Sequence, residues 1–183
     1  VKNNAAPYTF FPSLRNLNPN LCGGYYEFLY EISSSTTIHN IVEIGTGSGA
    51  SALMMAEGII KGRVISFDTD ESRSSYFEYI ETLASGNLKI LAMHSRDGID
   101  LVKQLMSTGI DLLFIDGEHT DTAAGEDWRL YEPLVEPRGI ILLDDIKMIR
   151  GMWDGIFYPK IELPMLHATG FGAVIKPKGE NGI

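Results

Sequence analysis

Short apolar runs alternate with amphipathic helical stretches along most of this chain, and that rhythm most constrains its fold. "IHNIVEIG" (38–45), "RVISFDTD" (63–70), "LKILAMH" (88–94), "IDLLFID" (110–116) and "GIILLDD" (139–145) read as strands. Between them, "ASALMMAEGII" (50–60) reads as a helix with Leu53, Met54 and Ile60 on one side. Tyr76, Phe77, Ile80, Leu83 and Ala84 give 71–85 a helical period, and Leu101, Val102, Leu105 and Met106 do the same for 98–106. Trp128, Tyr131 and Leu134 face inward from a helix over 123–135. Strands separated by helices pair in parallel, and a parallel sheet is covered on both faces, so its strands are apolar throughout rather than alternating. "IELPMLH" (161–167) and "FGAVIKP" (171–177) are parted only by "ATG", which predicts an antiparallel hairpin at one edge. "PNLCGGYYEFLYEISSS" predicts a further helix ahead of the first strand.

The chain has 183 residues, 44% of them hydrophobic and 21% charged, which fits one globular domain. Residues 1–37 read as an extension with a helix and 38–177 as the core. A net charge of -9 without a basic stripe argues against nucleic acid as a partner. No apolar run approaches the roughly 18 residues that span a bilayer. Cys22 is the only cysteine, which points to a reducing, cytoplasmic setting and to a small buried side chain rather than a nucleophile. The opening "VKNNAAPYTFF" has neither a leader pattern nor an initiator Met, which leaves a trimmed or longer parent chain open.

"VEIGTGSGAS" lies where the first strand gives way to a helix. Glycines at 45, 47 and 49 allow a sharp turn and a close-lying ligand, and the pattern points to a nucleotide-like cofactor or, more modestly, to a tight turn. No Gly-Lys-Ser/Thr follows, so it is not a phosphate loop. Glu43 would repel a pyrophosphate and attract a cationic amino group, which, with the terminal hairpin, argues against a nicotinamide oxidoreductase. Asp68 ends the second strand, where a carboxylate can take two ribose hydroxyls or cap the next helix; Asp70 is the better cap.

In order and spacing, "VEIGTGSGAS", "VISFDTD", "DLLFIDGEHTD" and "GIILLDDI" resemble the class I S-adenosylmethionine-dependent methyltransferases across roughly 38–177. More narrowly, the chain is similar to the metal-dependent O-methyltransferases, the branch with catechol-type and small sugar-modifying enzymes. The resemblance implies a Rossmann-like, doubly wound α/β fold with a seven-stranded, mostly parallel sheet and an antiparallel C-terminal hairpin strand. It implies that Glu43, Gly45, Thr46, Gly47 and Ser51 hold the methionine end of the cofactor. Asp68, with Thr69 beside it, would take the ribose, Ser95 and Arg96 would border the adenine, and Asp116 would also touch the cofactor.

Asp116, Asp144 and Asp145 end the fourth and fifth strands on the rim that carries the first loop. Carboxylates brought together without a cation repel, and oxygen ligands favour Mg²⁺, then Ca²⁺ or Mn²⁺. The catechol-type relatives have an amide where this chain has Asp145; the alternative for the Asp pair is a helix cap near Lys147. His119 stands three residues beyond Asp116, where sugar-modifying relatives also carry histidine, and is the candidate general base. Its alternative is a solvent-facing loop histidine, and Glu118 and Asp121 read as solvated or capping acids. His94 would lie near the adenine and His167 in the hairpin bordering the substrate. Tyr25, Tyr26, Phe28 and Tyr30 read as core, while Met152, Trp153, Phe157 and Tyr158 divide evenly between core and acceptor pocket. The function expected is methyl transfer to a hydroxyl of a small molecule (a sugar, a catechol or another metabolite), with a homodimer allowed. A metal-independent methyltransferase and an inactive S-adenosylmethionine-binding protein are the alternatives.

Overall fold

The structure is a computed structural model that describes residues 24–179; the expectation for Cys22 lies outside them. β1 (Asn40–Ile44), β2 (Arg63–Asp68), β3 (Leu88–Ala92), β4 (Ile110–Ile115) and β5 (Val135–Asp144) are parallel, as the continuous apolar runs require. β7 (Phe171–Ile175) runs antiparallel to β5 and carries β6 (Lys160–Glu162) on its outer edge. The strand order β3-β2-β1-β4-β5-β7-β6 reverses between β1 and β4, and a crevice opens beyond the strand ends at such a reversal.

Both faces of the sheet are dry because successive strand residues feed different cores. Ile41, Val64, Leu112 and Leu142 meet α1 (Gly24–Ser33), α2 (Ala50–Gly58) and α3 (Ser74–Leu83) through Leu29, Met55, Phe77 and Ile80. Val42, Ile65, Leu113 and Ile141 meet α4 (Ile99–Leu105), α5 (Asp121–Tyr131) and α6 (Arg150–Asp154) through Val102, Tyr131 and Trp153. Each such large side chain contributes roughly 1.5–3 kcal/mol on burial. α2 is buried on almost every side, since α1 packs over its outer face, which explains a run as apolar as "ASALMMA".

Some boundaries differ from expectation. α2 stops at Gly58, so Ile60 is exposed rather than part of its apolar side, and Leu105 is partly exposed at the end of α4. The strand expected over 161–167 ends at Glu162, because Pro164 cannot donate to the ladder. Residues 163–170 instead form a compact turn closed by Leu166 N to Leu163 O at 3.1 Å and Gly170 N to His167 O at 3.1 Å. That turn carries His167 over the end of β5. Trp153 is core, whereas Phe157 is 97% exposed and lines, with Met152, Tyr158 and Trp128, a separate surface pocket of about 410 Å³.

Candidate active site

The glycine loop after β1 is shaped by contact as well as by dihedral freedom. Gly45 has φ +101°, and a Cβ there would stand 1.9 Å from the carbonyl oxygen of Asp116, so only glycine lets the β1 and β4 ends approach. Gly47 has φ +51° and open space where a Cβ would project. Glu43 is wholly buried beside this loop and accepts a hydrogen bond from Ser66 Oγ, which is in turn 2.6 Å from Thr46 Oγ1. Its Oε1 is buried with no hydrogen-bond partner among the described residues. Burial pushes the Glu43 carboxyl up to about 7, with the Ser51 and Ser66 hydroxyls opposing. Glu43, Thr46 and Ser51 therefore form a buried polar layer beside the loop rather than the cleft wall itself.

The cleft, about 510 Å³, is lined by Gly45, Gly47, Asp68, Thr69, His94, Ser95, Asp116 and His119, among others. Asp68 is fixed in place, as its Oδ2 accepts from Gly47 N at 2.9 Å and its Oδ1 from Asp70 N at 2.9 Å. Asp70 caps the next turn by accepting from Ser72 N, as expected. Arg96 is not among the residues that line the cleft, but it lies against His94 and Glu126, which do. Its guanidinium lies against His94 and 3.4 Å from Glu126 on the surface, where hydration of both charges is retained.

Asp127 also lines the cleft and went unassigned in the sequence. It is 6% exposed and accepts from Ser95 Oγ at 2.7 Å, while Tyr131 Oη donates to Ser95 O at 2.6 Å. Burial raises the Asp127 carboxyl, and the Ser95 hydrogen bond opposes it. Its signal was present: Ala124, Asp127 and Tyr131 share the inward stripe of α5, and an acid on such a stripe needs a reason.

At the ends of β4 and β5 the acids are brought together, but with histidines between them. His119 Nδ1 lies 2.8 Å from Asp145 Oδ2, and His167 Nδ1 lies 2.7 Å from Asp144 Oδ1. Asp116, His119 and Asp145 can each present one ligand atom within 4.8 Å of the others, and so can Asp144, Asp145 and His167. Among the described residues these are the two such groups, and Asp145 belongs to both; the three aspartates alone do not form one. Burial, then Asp144, Glu43 and Asp145, push Asp116 up to about 9. Burial also raises Asp144, opposed first by its hydrogen bond to His167. Asp145 has φ +52°, a left-handed geometry that non-glycine residues adopt at some cost. α1 covers this corner with Tyr25, whose ring centroid is 5.4 Å from that of His167 and 5.8 Å from that of Phe171. Asp121 is not the α5 cap: Thr120 Oγ1 accepts from Ala123 N, and Asp121 Oδ1 takes Met152 N at 2.8 Å, tying α5 to α6.

Known proteins share this architecture. Cofactor-bound Rv0187 from MTB superposes with a TM-score of 0.74 over 92% of this chain and 91% of that one, at 15% identity. The O-methyltransferase from Bacillus cereus in complex with SAH gives 0.66 over 90% and 86%, at 20% identity. The O-methyltransferase TomG from Streptomyces achromogenes, involved in tomaymycin synthesis and in complex with SAM, gives 0.66 over 96% and 92%, at 16% identity. Uncharacterized protein R132 of Acanthamoeba polyphaga mimivirus is 30% identical over 117 residues, which are 60% of this chain and 52% of that protein. The chain thus spans about half the length of that curated relative. No helix among the described residues is long and apolar enough to cross a membrane. The family model for a methyltransferase domain matches residues 42–146, more than half of the sequence and the whole span from the glycine loop to Asp145, and the chain belongs to that family.

Proposed function

We propose that the chain binds S-adenosylmethionine in the cleft and catalyses methyl transfer to a hydroxyl oxygen of a small molecule. The observation that carries this reading is that the glycine loop, Asp68, Asp116 and His119 all line one cleft. The residues suit the cofactor: Glu43, in the buried layer behind the loop, is a carboxyl whose negative charge would favour a cationic amino group held in front of the loop. Asp68 keeps lone pairs for ribose hydroxyls beyond its two backbone donors. Asp127 offers a further acceptor, which suits an exocyclic amine. The cofactor supplies an electrophilic methyl group; the protein's task is alignment and removal of the acceptor's proton.

His119 is the base. Its Nδ1 stands 2.8 Å from Asp145 Oδ2, and a carboxylate at that distance favours the tautomer protonated on Nδ1, which leaves the Nε2 lone pair to accept the proton. The buried carboxylates Asp144 and Asp145 and the half-buried Asp116 have no Lys or Arg ion pair among the described residues, which suits a divalent cation. Its chemistry there would be charge neutralisation and acidification of an acceptor hydroxyl. A cation-independent reaction is the second reading, favoured by the His119–Asp145 contact, which orients the base without a metal.

The test is calorimetry with S-adenosylhomocysteine and NAD⁺, followed by incubation of labelled S-adenosylmethionine with catechols, sugars and other hydroxylated metabolites, with and without Mg²⁺. Binding of S-adenosylhomocysteine alone and label transfer to a hydroxyl are expected. No binding of S-adenosylhomocysteine would overturn the reading, and full transfer in excess chelator would select its cation-independent form.

A further inference from the structure

The geometry points to Asp144, Asp145 and His167 as a site for a first-row transition-metal cation, with His167 as a nitrogen ligand. This goes beyond the oxygen-only Mg²⁺ site expected from the strand ends, and it rests on the reading that the rim holds a divalent cation. Three oxygens converge on a single ring nitrogen. His167 Nδ1 is 2.7 Å from Asp144 Oδ1, 3.1 Å from Thr169 Oγ1 and 3.6 Å from Asp145 Oδ1. One proton on that nitrogen can serve only one acceptor well. Asp145 Oδ1 is the atom left out: it is buried, has no hydrogen-bond partner among the described residues, and belongs to a residue only 7% exposed. Asp144 is 4% exposed. Lys147, the cation nearest in sequence, is turned away, with its Nζ donating to Ala168 O at 2.7 Å.

Neighbouring ligands of a cation with bonds of about 2.1 Å stand about 3 Å apart, and the carboxylate–imidazole separations of 2.7 and 3.6 Å bracket that spacing. A cation would therefore satisfy the orphaned oxygen by small movements of side chains already in place. Imidazole with carboxylate shifts preference from Mg²⁺ and Ca²⁺ toward the transition metals. The arrangement also removes a conflict between base and metal. Asp145 Oδ2 orients His119 while Oδ1 faces His167, so one carboxylate can serve both through different oxygens.

The probe is Mn²⁺ alone, added to the protein at about pH 7.5 and followed by its electron paramagnetic resonance, with Mg²⁺ as competitor and without a methyl acceptor. The expected result is Mn²⁺ bound about tenfold or more tighter than Mg²⁺, with spin-echo modulation from a ligated nitrogen. His167→Ala removes the nitrogen signal and weakens Mn²⁺ about tenfold, while S-adenosylhomocysteine binding and the far-ultraviolet circular dichroism stay unchanged; His119→Ala keeps the nitrogen signal. His167→Gln gives the same readout should the alanine variant fail to fold. A nitrogen signal that persists in both His167 variants, or equal affinity for Mn²⁺ in variant and wild type, overturns His167 as a ligand and leaves a cation on the acids alone. No cation binding by the wild type at millimolar concentration overturns this site together with the cation-dependent part of the proposed function, while the calorimetric test of the cofactor stands apart.

Discussion

Glu43→Gln isolates the energetic cost of the buried acid beside the glycine loop. The Glu43 carboxyl is pushed from 4.5 up to about 7 by burial. Below the lower value, folded and unfolded chains both hold the proton and the two proteins should be equally stable. Between about 4.5 and 7 only the folded chain keeps it, so wild-type stability falls as pH rises, and above 7 the loss is complete. A shift of that size corresponds to about 3 kcal/mol, at roughly 1.4 kcal/mol for each unit. Glutamine cannot ionise and still offers an oxygen to Ser66 Oγ, so Glu43→Gln should be about 3 kcal/mol more stable than wild type at pH 8 and nearly equal at pH 4.5. For a chain of this size the difference corresponds to about 6–12 °C in melting temperature. Urea denaturation at half-unit steps of pH, without cofactor, measures it. Parallel stability curves for the two proteins across that range would refute the reasoning, because they would mean that the carboxyl titrates alike in both states. The stabilised variant should also bind S-adenosylhomocysteine more weakly, since an amide no longer draws a cationic amino group.

The glycines separate fold from site. Gly45→Ala drives a methyl into the Asp116 carbonyl and should cost roughly 3 kcal/mol or more in urea denaturation, whereas Gly47→Ala, with open space at its Cβ, should cost about 1 kcal/mol yet obstruct the cleft and weaken S-adenosylhomocysteine in calorimetry. Asp127→Ala should weaken the same ligand about tenfold, the loss of one hydrogen bond to a charged group, and Asp127→Asn should recover less than half of that free energy. His119→Ala should lower turnover by about 10²-fold or more in the labelled-methyl assay while leaving cofactor affinity unchanged. Unchanged turnover would remove the histidine from the proposed mechanism.

The parallel sheet was legible because its cause is local: a strand dry on both faces must be apolar at every position, as "DLLF" and "IILL" are. The β1 loop was legible for a related reason, since Gly45, Gly47 and Gly49 are needed wherever the backbone turns against another strand end. The C-terminal hairpin was legible too, and only the extent of its first strand was not, because apolar content at Leu163 and Leu166 reads as strand while Pro164 decides the ladder. His167 meets Asp144 across 23 residues of chain through that turn, and no period in the sequence carries such a contact. Asp127 meets Ser95 across 32 residues, yet its place on the buried stripe of α5 was readable and would have exposed it. Motif position brings Arg96 to the cleft's edge, where a long charged side chain stays half in water and reaches Glu126 at 3.4 Å.

The distribution of charge ties these pieces together. Glu43, Asp116, Asp127 and Asp144 are all raised by burial, and they stand on one rim of the sheet beside Asp68 and Asp145. Arg73 reaches Asp68 only at 3.9 Å, and the nearer partners of the rim are hydroxyls, backbone amides and two histidines. A fold stabilised by such groups alone would gain from replacing them with apolar side chains. Their presence is accounted for when the bound molecules are cationic. In the proposed complex an amino group and a sulfonium near Glu43 and Asp116, and a divalent cation at Asp145, would each offset repulsion that the free protein bears. On this reading the proton held by Glu43 near neutral pH is displaced when the cofactor's amino group arrives. The increment in melting temperature given by S-adenosylhomocysteine should therefore be larger at pH 8 than at pH 5.5, because at the lower pH binding must first remove that proton. An increment that is the same at both values, or larger in acid, would show that Glu43 does not face the cofactor's charge.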